Sequence, residues 1–223
     1  MSTSPSVTRK SIKLAAPSSP WTGANKRAEQ RELKRQAVLS TAAQLFNEQG
    51  FQATSLDDIA ARLNVSKPTL YYYVKNKDEI LIECVRGALQ TMLEGIEQTR
   101  ASGGKAIDQL ITCMRIYTRI VTQDFGMCVI RISDTELPAD RRAELRALKS
   151  GIDQAFRRQI KACVKEKSIA KCDPKLTAFM VAGALCWIGQ WYQPGGTLSP
   201  DKIADEYIRT FMQGLKPAPS ASS

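Results

Sequence analysis

An all-α fold is what this 223-residue sequence predicts, and three observations predict it. Apolar residues recur at helical spacing in one stretch after another, and no alternating run reads as a strand. Capping and breaking residues punctuate the chain so that each interval between them holds a helix. Hydrophobic residues make up 43% and charged residues 24%, a balance suited to a globular chain that buries a core.

The elements follow in order. Residues 1–25 are rich in Ser, Thr and Pro, contain no acidic residue and lack periodicity, which predicts a disordered basic arm. From Lys26 an apolar stripe through Leu33, Ala37, Ala42, Leu45 and Phe46 predicts a first helix that Gly50 stops. Thr54 to Asp57 (T-S-L-D) is read as a capping box that opens a second helix with Leu56, Ile59, Ala60 and Leu63 inside. Asn64 suits a left-handed residue at its end, and Val65 a plug in the turn. A third helix then opens at Ser66 or Lys67, with Pro68 near its start.

A long helix is expected from Lys77 or Asp78 to the Ser102-Gly103-Gly104 break. Helices over about 105–122, 125–134 and 138–168 come next. Asp173-Pro174 and Ser199-Pro200 are cap-plus-proline starts for helices over 174–192 and 199–213. The organisation predicted is thus an arm (1–25), a reader (26–77), a second helical domain (78–215) and a tail (216–223), about nine helices in all.

Charge is uneven. Residues 1–77 hold twelve Lys/Arg and five Asp/Glu, so most of the net +10 sits in the first third. A basic end on a near-neutral remainder suits a polyanionic partner. The complete absence of histidine excludes a Ser-His-Asp triad, a Cys-His dyad and imidazole zinc sites. Six scattered cysteines without a C-x-x-C pair read as buried, reduced thiols. No catalytic constellation, metal site or cofactor motif is found, so an enzyme is not expected. The N-terminus lacks the apolar core of a signal peptide, and the apolar run ending near Tyr192 is short for a membrane span; the expected location is cytoplasmic.

The stretch Val65 to Ile80 (V-S-K-P-T-L-Y-Y-Y-V-K-N-K-D-E-I) resembles the DNA-binding segment of TetR-family transcriptional regulators. Asp58–Asn64 and the Ala42–Phe51 stretch fit the same family, so the resemblance spans about residues 27–85. It implies a helix-turn-helix whose second helix enters the major groove. Carried over, Lys67, Pro68 and Thr69 lie nearest base edges, and Tyr72 and Tyr73 meet backbone and groove. Tyr71 points partly inward, while Thr54 and Lys77 meet phosphates. Arg27 and Arg31 are either further DNA contacts or solvated residues.

For the rest of the chain the resemblance implies a ligand-binding and dimerisation region, with helices 174–192 and 199–213 pairing with a second copy. The many apolar residues around the first of these, Ala178 to Ile188, independently require burial on both faces. The segment Trp187-x-x-x-Trp191-Tyr192-x-Pro194-Gly195-Gly196 is similar to a subgroup that regulates fatty-acid and steroid breakdown, some members of which respond to acyl-CoA esters. Met114, Tyr117, Ile120, Phe125, Met127, Ile130, Phe179, Trp187 and Trp191 are the candidate apolar contacts. Arg115, Arg119 and Arg131 are the candidate phosphate partners. The expected function is a dimeric repressor released from a palindromic operator by an apolar small molecule, with acyl-CoA esters as one class. The alternative is a helical protein-interaction module without ligand-controlled DNA binding.

Overall fold

The computed structural model describes residues 24–214, and every described regular element is helical. The helices are α1 (Ala24–Gln49), α2 (Leu56–Arg62), α3 (Lys67–Tyr71), α4 (Lys77–Ala101) and α5 (Ala106–Val121). They continue with α6 (Asp124–Arg131), α7 (Ala139–Lys165), α8 (Pro174–Trp191) and α9 (Pro200–Gly214). A 3-10 turn, Asp134–Glu136, joins α6 to α7 where the sequence pattern predicts that the sixth helix continues to 134. Most of the expected arm, and all of the tail over 216–223, lie outside the described residues; α1 begins at Ala24, two residues inside the span assigned to the arm.

Local chemistry explains the boundaries, with two corrections. The box that opens α2 is formed by Ser55 and Asp58, one residue later than the T-S-L-D reading: the Ser55 hydroxyl accepts from the Asp58 amide, and Asp58 accepts from the Ser55 amide. Thr54 is unavailable as the cap because its buried hydroxyl donates to the Gly50 carbonyl, 2.8 Å away. The second correction concerns α1, whose buried stripe is Val38, Leu39, Ala42, Ala43, Leu45 and Phe46, while Leu33 faces solvent. The expected cap-plus-proline starts do form at α8, where the Asp173 carboxylate accepts from the Lys175 and Leu176 amides. These two bonds hold the Asp173 carboxyl below the usual carboxylate range.

Packing is organised around α4, which lies against α1, α5, α6 and α7. The reader's core (Ile59, Leu70, Val74, Ile80) is continuous with the core of the second region (Val85, Leu110, Phe156, Leu185). Both α8 and α9 rest on α5. No described helix is long and apolar enough to cross a membrane.

Candidate nucleic-acid interface and effector cavity

The reader is built by a tight turn between α2 and α3. Asn64 takes φ +54°, the left-handed region that Asn tolerates, and the Val65 amide returns to the Ala60 carbonyl at 3.0 Å. Val65 itself is exposed and does not plug the turn. Ser66 is the N-cap of α3, its hydroxyl accepting from the Thr69 amide, with Pro68 in the first turn where no amide is missed.

Leu70 and Val74 are fully buried, so residues three and four places apart on this face point inward. That register decides the tyrosines. Tyr73, three residues from Leu70, packs partly against the core, whereas Tyr71 and Tyr72 are 49% and 63% exposed. The expectation for Tyr71 and Tyr73 is therefore reversed: Tyr71 faces out and Tyr73 is the half-buried one. Tyr73 meets Tyr72 edge-to-face at 5.1 Å, and the Arg31 guanidinium from α1 stacks over the Tyr72 ring at 5.1 Å. The outward face thus presents Lys67, Pro68, Thr69, Tyr71 and Tyr72 together, with Arg31 behind.

Lys67 is exposed, and its ammonium is 2.9 Å from the Asp57 carboxylate, which raises its pKa through the hydrogen bond. A phosphate or base edge that takes Lys67 competes with Asp57 for this ammonium. Two sequence-predicted contacts are placed elsewhere. The Thr54 side chain is buried, so its hydroxyl does not reach a phosphate. Lys77 Nζ donates to the carbonyls of Phe51, Gln52 and Thr54 at 2.7, 3.3 and 3.0 Å and lies over the Phe51 ring. Those three bonds use every donor of the ammonium to clamp the α1–α2 turn.

In the second region α4, α5, α6, α7 and α8 enclose a cavity of about 220 Å³. Ala88, Leu89 and Met92 come from α4, Ile120 and Val121 from α5, and Gly126, Val129 and Ile130 from α6. Ile152 (α7) and Ala182 (α8) complete the apolar wall, and Tyr117, Lys149, Asp153 and Cys186 supply its polar groups. Of the twelve residues expected as ligand contacts, Tyr117, Ile120 and Ile130 line it.

The others are committed to other partners. Met114 and Met127 are plain core. Phe125 opens on a separate groove beside Gly87, and Phe179 lies on the outside of α8 under the Arg157 guanidinium. Trp187 and Trp191 also face outward. Arg115 pairs with Asp205 and Arg119 with Asp201, both on α9. Arg131 donates to the Gly189 and Tyr192 carbonyls, each at 2.8 Å. The clue that sequence reading missed is on α7: Lys149 and Asp153, four residues apart, interrupt the inward stripe of Leu145, Ile152 and Phe156.

The thiols are quiet. Burial pushes Cys84 up strongly, and Cys113 and Cys128 up to about 12, so none is a thiolate at neutral pH. Burial likewise raises Tyr117 and Cys186, which lie side by side on the cavity wall.

Helix α6 ties the regions together. At its N-terminal end Asp124 accepts from Gln44 and Asn47 of α1, at 3.0 and 2.9 Å. Its middle lines the cavity, and at its C-terminal end Arg131 grips α8. Gly126 makes this seating possible, because a Cβ there would stand 1.8 Å from the Ile120 carbonyl oxygen.

Among the described residues no helix covers the outward face of α8. Leu176, Phe179, Met180, Gly183, Ala184, Trp187 and Trp191 recur every three or four residues and are all exposed, Trp187 by 64%. The outward residues of α9 are polar instead, including Lys202, Glu206 and Arg209.

Known proteins resemble this chain in sequence and in fold. Residues 38–84 match the bacterial regulatory proteins of the tetR family, and residues 103–215 match the tetracyclin repressor-like C-terminal domain. The HTH-type transcriptional repressor KstR2 of Rhodococcus jostii is 26% identical over 187 residues, which cover 82% of this chain and 91% of that protein. The TetR-family regulator PfmR of Thermus thermophilus superposes with a TM-score of 0.73 at 26% identity, covering 81% of this chain and 99% of its own. AibR, solved in complex with isovaleryl coenzyme A and operator DNA, superposes with a TM-score of 0.68 at 26% identity, covering 79% and 97%.

Proposed function

The chain belongs to the TetR family of bacterial transcriptional regulators, and from that premise we propose that it is a dimeric repressor whose operator is palindromic and whose release is driven by an apolar small molecule. The observation that carries ligand control is the seating of α6: one short helix touches the reader at Asp124, the cavity at Val129 and Ile130, and α8 at Arg131. A molecule filling the cavity presses on the element that spaces the reader from the dimer helix. It acts only by fitting one arrangement better than the other, so DNA and ligand must weaken each other by the same factor.

The exposed apolar stripe of α8 suits a second copy, since a continuous apolar face of this kind is not left in water. Two copies then present two α3 helices, which is how a palindrome with half-sites about 34 Å apart is read. The α3 residues assigned to DNA are Lys67, Pro68, Thr69, Tyr71 and Tyr72, with Tyr73 as their support. Such a regulator works in the cytoplasm, beside the DNA.

A second reading of the effector, an acyl-CoA ester, is favoured by the isovaleryl coenzyme A found with AibR. The cavity accommodates a short acyl group, but the three arginines expected for the CoA phosphates lie outside it.

Anisotropy titration of selected operator DNA, repeated with a graded series of acyl-CoA esters and free acyl compounds and over a range of salt, tests the reading. Binding that weakens steeply with salt and falls when a cavity ligand is added is the expected outcome. DNA affinity untouched by every compound removes ligand control, and no salt-sensitive binding at all favours an interaction module.

A further inference from the structure

The polar side of the cavity has a definite sign. Of its two charged residues, Asp153 is occupied from both oxygens by Arg157, whose Nη2 and Nε lie at 2.5 and 3.1 Å. The other, Lys149, has one carboxylate partner among the described residues, Asp134, at 2.6 Å, and Asp134 belongs to the 3-10 turn rather than to the wall. The remaining polar groups, the Tyr117 hydroxyl and the Cys186 thiol, are neutral, raised by burial, and hydrogen-bond each other, so they add no charge to the wall. A ligand polar group entering here meets one carboxylate already neutralised by Arg157 and one ammonium whose carboxylate partner lies off the wall, so the charge it can pair with is positive. That environment selects an anion.

Its size selects a small one. At about 220 Å³ the cavity falls below the range of sites that enclose drug-sized ligands, roughly 300–1,000 Å³. Resting on the reading of this cavity as the effector site, we propose that the effector is a compact amphiphilic monoanion, a carboxylate on an apolar body of on the order of eight carbons, with Lys149 as its counter-ion in exchange for Asp134.

The exchange has a built-in readout. The turn that carries Asp134 also carries Glu136, which accepts from Gln52 in the turn between α1 and α2. Arg142 holds the same segment through the carbonyls of Thr135 and Leu137, at 3.0 and 2.9 Å. When Lys149 turns to the ligand, one of the segment's anchors goes, and the other end of that segment touches the reader. The assignment departs from a CoA ester, whose acyl portion carries no charge of its own beside the apolar body.

Calorimetric titration of the full chain with octanoate, octanamide and octanoyl-CoA tests it, with Lys149→Met and Asp134→Asn in parallel. Octanoate is expected to bind about tenfold tighter than octanamide, a charge-assisted contact being the only difference. Lys149→Met should abolish that preference and leave the amide unchanged. Asp134→Asn should tighten octanoate, a gain that a misfolded variant cannot produce. Equal binding of acid and amide, or an unchanged preference in Lys149→Met, overturns the monoanion while leaving the effector cavity standing. Octanoyl-CoA binding without octanoate overturns it in favour of the ester. If none of the three binds, the monoanion falls, and the effector cavity falls with it only if operator DNA also responds to no compound in the wider series.

Discussion

The outer faces of α3 and α8 are both open to solvent among the described residues, and they differ in polarity. The α3 face carries an ammonium, a proline, a threonine and Tyr71 on a helix of five residues, with Tyr72 at its C-cap. Leu70 and Val74, with Tyr73 half-buried beside them, pin it to the core. The α8 face carries leucine, phenylalanine, methionine and two tryptophans around Gly183 and Ala184, on a helix of 18 residues. The first can exchange its hydration for phosphates and base edges with little apolar area to bury. The second gains only by burying area, and Gly183, with open space where a Cβ would stand, lets another helix come close. One open face suits a polyanion and the other a copy of itself.

That contrast can be broken most forcefully at α8. Trp187→Glu places a charge at the centre of the apolar stripe and should yield a monomer by light scattering. Operator affinity should fall by about 10²-fold or more as the second reader is lost. A variant that remains dimeric would separate the α8 face from self-association. Next in size is the joint between the regions. Gly126→Ala forces a Cβ into the Ile120 carbonyl and should cost about 3 kcal/mol of stability in denaturant unfolding.

Smaller effects sharpen the reader. Lys67→Ala should change preference at one base position by about 1–3 kcal/mol, whereas Tyr72→Ala should weaken binding uniformly and release Arg31. Competition titrations against operator variants separate the two patterns. The smallest expected effect is Ser55→Ala, about 1 kcal/mol of stability from the lost capping box, measured by thermal melting against Thr54→Val. If Thr54→Val alone behaved as a cap deletion, the placement of the box at Ser55 would be wrong.

The two regions were not equally legible in the sequence. Helices α1 to α3 and α8 announce themselves through local signals: Gly50 as a stop, Asn64 at positive φ, Asp173-Pro174 as a start. Such signals act within one turn of chain, so errors there are small, as with the cap one residue late at Ser55 and the exchanged roles of Tyr71 and Tyr73. The cavity depends on something else, namely which inward residues leave space once five helices have packed. Residue type does not encode that. Met114 and Met127 are as apolar as Met92, yet only Met92 borders the void. Arginines were the expected anion partners because of their charge, but Asp201, Asp205 and two backbone carbonyls claim them, and sequence spacing cannot show pairings more than 50 residues apart. Lys149 was visible all along as a cation on the buried stripe of α7.

The central claim is that the α3 face reads DNA and the α8 face supplies the second reader. Selection of genomic fragments by the purified chain at near-physiological salt, followed by sequencing, tests it most directly. The account predicts an enriched palindrome with half-sites about one helical turn, roughly 34 Å, apart. Retention of DNA without sequence preference, or enrichment of a single unrepeated site, would contradict it.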